Sequence, residues 1–67
     1  MTSIAKVIEL SADSEKSFDD ALNEGIKRAA ETLRNVRSIW IKDKEVLVEN
    51  GAAKIYRLHL KVTFKLE

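Results

Sequence analysis

A row of basic side chains near the end of the chain is the first feature that could carry chemistry. Its members lie two or four positions apart in the sequence: Arg57, His59, Lys61 and Lys65. Because alternate positions of a β-strand point to one face, this spacing predicts a basic strand face. If Trp40, the only tryptophan, shares that face, the combination suits an anion carried by a flat aromatic ligand. A solvated or ion-paired strand face explains the row without any ligand.

The pair Asn50-Gly51 determines how this row meets the preceding strand. Both residues tolerate the positive φ of a type I′ turn, so the pair predicts a two-residue β-hairpin. In such a hairpin the numbers of paired positions sum to about 101, which places Arg57 opposite Lys44. The same rule places His59 opposite Lys42.

Two registers of this hairpin are compatible with the sequence. In the first, Ser38 and Trp40 share a face with Arg57, and an anion such as a flavin phosphate could bind there. A slip of one residue would instead place Glu45 opposite Arg57, and Asp43 opposite the histidine, as ion pairs.

Four acidic residues before and within the start of the predicted helix form a second candidate site, for a hard cation bound through oxygen ligands. They are Asp13, Glu15, Asp19 and Asp20. Their spacing lacks the central glycine and the final glutamate of an EF-hand loop. Helix capping and the helix dipole account for them more simply, so the sequence assigns no metal ligands.

The composition excludes several classes of site. The chain has no cysteine and one histidine, which excludes disulfides, thiolate metal sites and multi-histidine metal sites within one chain. No nucleophile elbow or phosphate-binding glycine loop is present, so an enzyme is not expected. The net charge is +1, whereas nucleic-acid-binding proteins usually have a strong excess of basic residues, so nucleic-acid binding is not expected. The first ten residues are too short and too polar for a signal peptide or membrane span, which predicts a cytoplasmic protein.

The elements that position these residues follow from the hydrophobic periodicity. Residues 4–10 read as a strand, and residues 15–34 show the 3.6-residue period of one amphipathic helix with Ser14 as its N-cap. Residues 36–49 are rich in β-branched residues, and residues 53–66 alternate almost perfectly. Gly25 inside the helix predicts close approach to a strand or to another copy.

The order strand–helix–strand–strand predicts one α+β domain, residues 1–67, with a three-stranded antiparallel sheet in the order 1-3-2. One helix lies across one face of this sheet. A helix about 10 Å wide cannot cover three strands, which leaves several side chains without partners: Val36, Trp40, Val46, Val48 and Ile55. A 67-residue chain also has a marginal core. Both observations predict a homo-oligomer.

Several segments resemble the dodecin family, and the similarity covers nearly the whole chain. They are KVIEL at residues 6–10, SEKSF at 14–18, AAETLR at 29–34, Tyr56, and VTFKL at 62–66. The resemblance implies a hollow dodecamer with the helices outside and the sheets facing inward. It also implies that paired flavins, riboflavin or FMN, are stored between subunits without catalysis.

The resemblance also implies site residues, and this sequence departs from the family there. The family's flavin-stacking tryptophan corresponds to Ser38, and the glutamine that bonds the flavin ring corresponds to Arg57. An acidic residue of the family corresponds to Asp43. Trp40 lies two positions after Ser38, on the same face but displaced by about 6–7 Å along a strand.

The sequence therefore predicts a flavin-storing homo-oligomer, with Trp40, Arg57, Ser38 and Asp43 at the cofactor site. The alternative is a dodecin-like shell that has lost flavin and binds a divalent ion such as calcium, or has only a structural role. In its pair Tyr56-Arg57, the chain is similar to dodecin-like proteins that bind calcium.

Overall fold

The computed structural model describes residues 4–66, which form three strands and one helix. In chain order they are β1 (Ala5–Ser14), α1 (Phe18–Thr32), β2 (Val36–Glu49) and β3 (Ala52–Lys65). Both outer strands pair antiparallel with β3, giving the sheet order β1-β3-β2. The predicted fold class, strand order and single helix are confirmed. Within this range no helix is long and apolar enough to cross a membrane.

The junction between β1 and α1 differs from the sequence prediction. β1 continues to Ser14, which pairs with Tyr56, because β3 supplies a hydrogen-bonding partner along the whole segment. The helix N-cap is Ser17, whose hydroxyl accepts a hydrogen bond from the backbone N–H of Asp20 at 3.0 Å. The prediction of Ser14 as N-cap is wrong. Its hydroxyl instead accepts from the N–H of Lys16 at 2.9 Å and donates to Asp20 at 2.7 Å.

The core lies between α1 and the centre of β3. Leu58, Leu60 and Val62 are buried on the face toward the helix, where Ala21 and Ala29 are also buried. These three β3 residues alternate along the strand, so one apolar face lies under the helix while the intervening residues point away. Burial of such side chains supplies most of the folding free energy.

Gly25 is buried where the helix packs against the sheet. A Cβ added there would lie 3.0 Å from Leu60 Cδ1 and 3.4 Å from Ala12 Cβ. The mid-helix glycine, which costs about 1 kcal/mol against alanine, therefore permits the close approach to strands that its position predicts.

The β2–β3 hairpin contains the predicted turn, but its register changes along its length. Asn50 and Gly51 have φ of 54° and 76°, and Glu49 pairs with Ala52, so the turn itself follows the prediction. A bulge between Leu47 and Val48 then shifts the pairing by one residue. A bulge adds one residue to one strand, so every pair beyond it is displaced.

A second bulge, between Ile41 and Asp43, restores the first register. Between the two bulges Arg57 faces Glu45 and His59 faces Asp43, so the predicted pairings with Lys44 and Lys42 are wrong. The slipped register, the alternative left open by the sequence, is the one found here.

Candidate functional site

The face of the sheet away from the helix, here called the outer face, brings together the residues that sequence reasoning selected. Cross-strand partners lie side by side, so a β3 residue that is paired on both sides joins one neighbour from each outer strand. Four such rungs cross the sheet: Asp13–Arg57–Glu45, Ser11–His59–Asp43, Glu9–Lys61–Trp40 and Val7–Thr63–Ser38.

The rung at Arg57 is a charged chain across all three strands. Arg57 donates two hydrogen bonds to Asp13, from Nε at 2.8 Å and from Nη2 at 3.0 Å. Its Nη1 lies 3.6 Å from Glu45 Oε1, and the same carboxylate oxygen lies 3.0 Å from His59 Nε2. Bidentate geometry makes the Asp13 contact the strongest of these. The guanidinium is therefore engaged by two carboxylates.

This chain of charges alters the acidity of its carboxyl groups. The hydrogen bond from Arg57 lowers the pKa of Asp13 below its ordinary value, against a smaller opposing effect of desolvation. The pKa of Glu45 is lowered chiefly by its hydrogen bond with His59, with Arg57 adding to the effect. The two carboxylates in turn raise the pKa of Arg57. The guanidinium favours the ionised form of both carboxyl groups and they favour its charged form, so Asp13, Glu45 and Arg57 are charged at neutral pH.

Trp40 is the largest exposed apolar side chain of the outer face, with 65% of its surface open. Its cross-strand partner Lys61 places Nζ 5.2 Å from the centre of the indole ring, a cation–π contact. The side chain of the bulge residue Lys42 reaches across the sheet, and its Nζ lies 3.6 Å from Oε1 of Glu9. A flat ring held among charged groups can stack on a planar ligand.

The four residues predicted for the cofactor site all lie on the outer face. Trp40 and Ser38 occupy neighbouring rungs, and Asp43 and Arg57 occupy the two rungs nearer the hairpin turn. They share a face because the bulge at Lys42 changes the alternation of β2; without it, Asp43 would point to the helix side. Their role in ligand binding stays a prediction.

Sequence reasoning missed two contacts of this face: Asp13 as a partner of Arg57, and Lys61 as the partner of Trp40. The slipped register had placed Glu45 opposite Arg57, and that pairing is confirmed. No local signal identified Asp13, since its pairing with Arg57 spans 44 positions.

The acidic residues near the start of α1 do not form the cation site that their clustering would allow. Asp13 accepts hydrogen bonds from Arg57 on the outer face, and Asp20 accepts a hydrogen bond from the hydroxyl of Ser14. Among residues 4–66 no group of three or more histidine or acidic side chains is placed to hold a metal ion.

The chain resembles known proteins over its full length. The family model described as Dodecin matches residues 4–67. The dodecin of Thermus thermophilus is 30% identical over 67 residues, which is 100% of this chain and 97% of the relative. The calcium dodecin of Mycobacterium tuberculosis is 28% identical over 64 residues, which is 96% of this chain and 90% of the relative.

Solved structures agree with these sequence matches. The dodecin of Streptomyces coelicolor superposes with a TM-score of 0.91 at 26% identity, covering 97% of this chain and 93% of that one. The calcium dodecin of M. tuberculosis, described as calcium-chelating with a novel calcium-binding site, has a TM-score of 0.83 at 28% identity. That match covers 97% of this chain and 93% of the other.

Proposed function

Because this chain belongs to the dodecin family, we propose that it assembles into a homo-oligomer, a dodecamer, that stores flavin between its subunits without catalysis. FMN and riboflavin are the candidate cargo. The whole chain, residues 1–67, acts as one unit in this proposal, and the cytoplasmic location stays a prediction. Proteins of the family form oligomers and bind small ligands, which is the premise of the proposal.

The observation that carries the proposal is the exposure of Trp40 on the outer face. A tryptophan side chain with 65% of its surface open loses the stabilisation of burial, and exposed large apolar groups usually mark binding surfaces. Val48, near the hairpin turn, is similarly exposed at 67%. An isoalloxazine ring is flat and aromatic, so stacking would cover the indole face with favourable geometry. In this proposal Trp40 takes the stacking role that Ser38 cannot supply.

The other three predicted residues have distinct roles in the proposal. Asp43 has no ion pair among residues 4–66 and shares the face of Trp40, so its carboxylate is available to accept hydrogen bonds from the flavin ring edge. Ser38 leaves space beside the indole. Arg57 is held by two carboxylates, and it contributes by linking the central strand to both outer strands instead of bonding the ring directly.

A flavin titration tests the proposal. FMN and riboflavin are titrated with the assembled protein while flavin fluorescence is followed. Saturable quenching with micromolar or tighter affinity is expected, since aromatic stacking brings the indole into contact with the flavin. A matched variant, Trp40→Leu, keeps an apolar side chain but removes the flat ring, and it should abolish most of the quenching. Absence of quenching by the wild-type protein at high concentration would exclude flavin as cargo.

A divalent cation is the second candidate cargo, favoured by the similarity to the M. tuberculosis calcium dodecin. Because no single copy groups three ligating side chains within residues 4–66, such a site would combine carboxylates from several subunits. Asp43 is the outer-face carboxylate available for this role. Calcium should then raise the thermal unfolding temperature by mass action, and Asp43→Asn should remove that rise. An unchanged unfolding temperature at millimolar calcium would exclude this candidate.

A further inference from the structure

The β2–β3 hairpin extends beyond the rest of the fold. β1 ends at Ser14, which pairs with Tyr56, and α1 begins at Phe18, whose ring packs edge-on against the Tyr56 ring with centroids 5.3 Å apart. Residues 47–55 therefore project beyond β1 and the start of α1 as a two-stranded segment, here called the hairpin arm. The described residues are accordingly elongated, with extents of 53 × 19 × 13 Å. A two-stranded hairpin on its own is at best marginally stable in water.

The hairpin arm carries apolar side chains that two strands alone cannot bury. Val48 is 67% exposed. The apolar residues are the majority in the arm: Leu47, Val48, Ala52, Ala53 and Ile55. Exposed apolar surface of this kind marks an interaction site.

A second apolar surface is the groove between α1 and the helix-facing side of β2, here called the α1–β2 groove. It has a volume of about 360 Å³ and is lined mainly by apolar side chains: Leu22 and Ile26 of α1, and Val36, Ile39 and Ile41 of β2. The groove exists because α1 packs mainly over β1 and β3. Ile26, on its helix side, is left 43% exposed.

One chain cannot bring its own arm and groove together, because both belong to β2. Ile39 and Val48 lie nine positions apart in one strand, which corresponds to about 30 Å. The arm of a second copy can enter the groove without any change of fold. Charge complementarity favours the same pairing. Arg37 lines the groove and takes part in none of the ion pairs among residues 4–66, while the arm carries Glu49, paired with the exposed Lys54, beside its turn.

We propose that the hairpin arm of one copy docks into the α1–β2 groove of a second copy. This names the interface behind the assembly of the proposed function and rests on that assembly. Each copy offers one arm and one groove, so the contact is head-to-tail, the kind of contact that generates closed rings. Docking removes both apolar surfaces from water, which is the main driving force of association. The groove lies on the opposite side of β2 from Trp40, so the proposed ligand face stays open.

Crosslinking of introduced cysteines tests this contact, because the chain has no cysteine of its own. Ile26→Cys and Val48→Cys are prepared separately, refolded together and treated with a short bismaleimide reagent. The mixture should give a covalent dimer, since the reagent joins a groove to an arm, and neither variant alone should give it. In the control mixture Glu24→Cys, on the flank of α1 toward β1, replaces Ile26→Cys, and the product should be lost.

The outcomes separate this contact from the proposed assembly. An assembled wild-type protein whose variants give no crosslink, or the same crosslink with Glu24→Cys, would overturn the arm–groove contact and leave the homo-oligomer intact. Crosslinking of Val48→Cys with itself as strongly as in the mixture would show that arms meet arms, and would also overturn it. A monomeric wild-type protein would overturn both the contact and the assembly.

Two charge variants provide a second measurement, by light scattering across a dilution series. Val48→Lys and Ile26→Lys each place a charge inside the proposed contact, so each should raise the concentration needed for assembly about tenfold or more. Both side chains are exposed in a single subunit, so circular dichroism should show unchanged secondary structure. Assembly of both variants at the wild-type concentration would contradict the contact.

Discussion

The two faces of the sheet are built from alternate residues of the same three strands, yet their chemistry is opposite. Leu60 is 1% exposed under the helix, while the next residue, Lys61, stands over an exposed indole ring. The inner face, which is the face toward the helix, buries the alternate apolar residues of β3 within one subunit. The outer face carries charged side chains and an exposed tryptophan. The period-two alternation of β-strands thus separates the residues that stabilise the fold from those of the proposed ligand site.

The largest expected effect comes from a substitution that disrupts the packing of the inner face against the helix. Leu60→Ala should destabilise the fold by about 3 kcal/mol, because it removes buried methyl groups and leaves a cavity against α1. Chemical unfolding at fixed protein concentration measures it, since subunit association also contributes to stability. Lys61→Ala, the adjacent residue on the other face, should change the unfolding free energy by less than about 0.5 kcal/mol. Similar losses in both variants would contradict the division between faces.

Gly25→Leu tests the packing of the inner face from the helix side. A Cβ at this position already lies 3.0 Å from Leu60 Cδ1, so a full leucine side chain should overpack the core and cost about 2 kcal/mol. Asn23→Leu, at an exposed position of the same helix, is the matched control and should not destabilise the fold. An unchanged melting temperature for Gly25→Leu would show that the helix can move away from the sheet at little cost.

Trp40→Leu tests whether the outer face contributes to ligand binding and not to stability. Its flavin affinity should fall about tenfold or more, because stacking is lost. Its unfolding free energy should change by less than about 0.5 kcal/mol, as for other exposed positions. Fluorescence titration and chemical unfolding of the same preparation measure both quantities. A strongly destabilised variant that still bound flavin would reverse the roles assigned to the two faces.

The smallest expected effect concerns the pH dependence of the outer face. The pKa of Asp13 lies below its ordinary value of 3.8, so its ionised form is favoured in the folded protein. Its contribution to stability is present above that ordinary value and is lost as the pH falls through the lowered pKa. The pKa of Glu45 also lies below its ordinary value, which is 4.5, so its contribution to stability is likewise lost as the pH falls through the lowered pKa. Because these groups are exposed, solvent screening keeps the effect small.

Arg57→Gln should move the pKa of Asp13 back toward its ordinary value and weaken the stability loss at acid pH. An NMR titration of the side-chain carboxyl carbons measures this shift. Arg28→Gln removes a guanidinium that lies 3.9 Å from Glu31 on the helix surface, and it should leave Asp13 unaffected. If the Asp13 titration were the same in wild type and Arg57→Gln, the bidentate contact would not persist in solution.

The sequence alone determined the elements and their order. The alternation of residues 53–66 identified the central strand, Asn50-Gly51 identified the turn, and the helical period identified α1, because these signals are local and repeat along the chain. Local signals also placed Gly25 at a close contact. The end of β1 and the helix N-cap were predicted wrongly, since the pairing of Ser14 with Tyr56 extends the strand through polar residues.

Only the tertiary structure decided which residues meet across the outer face. Two bulges set the register of Arg57 with Glu45 and bring Asp43 to the face of Trp40. A bulge depends on how two strands twist and pair, so no single segment encodes it. The contact between Asp13 and Arg57 joins residues 44 positions apart, and it follows from the pairing of β1 with β3. Residue types limited what the site could do, and long-range strand pairing determined which of those groups became neighbours.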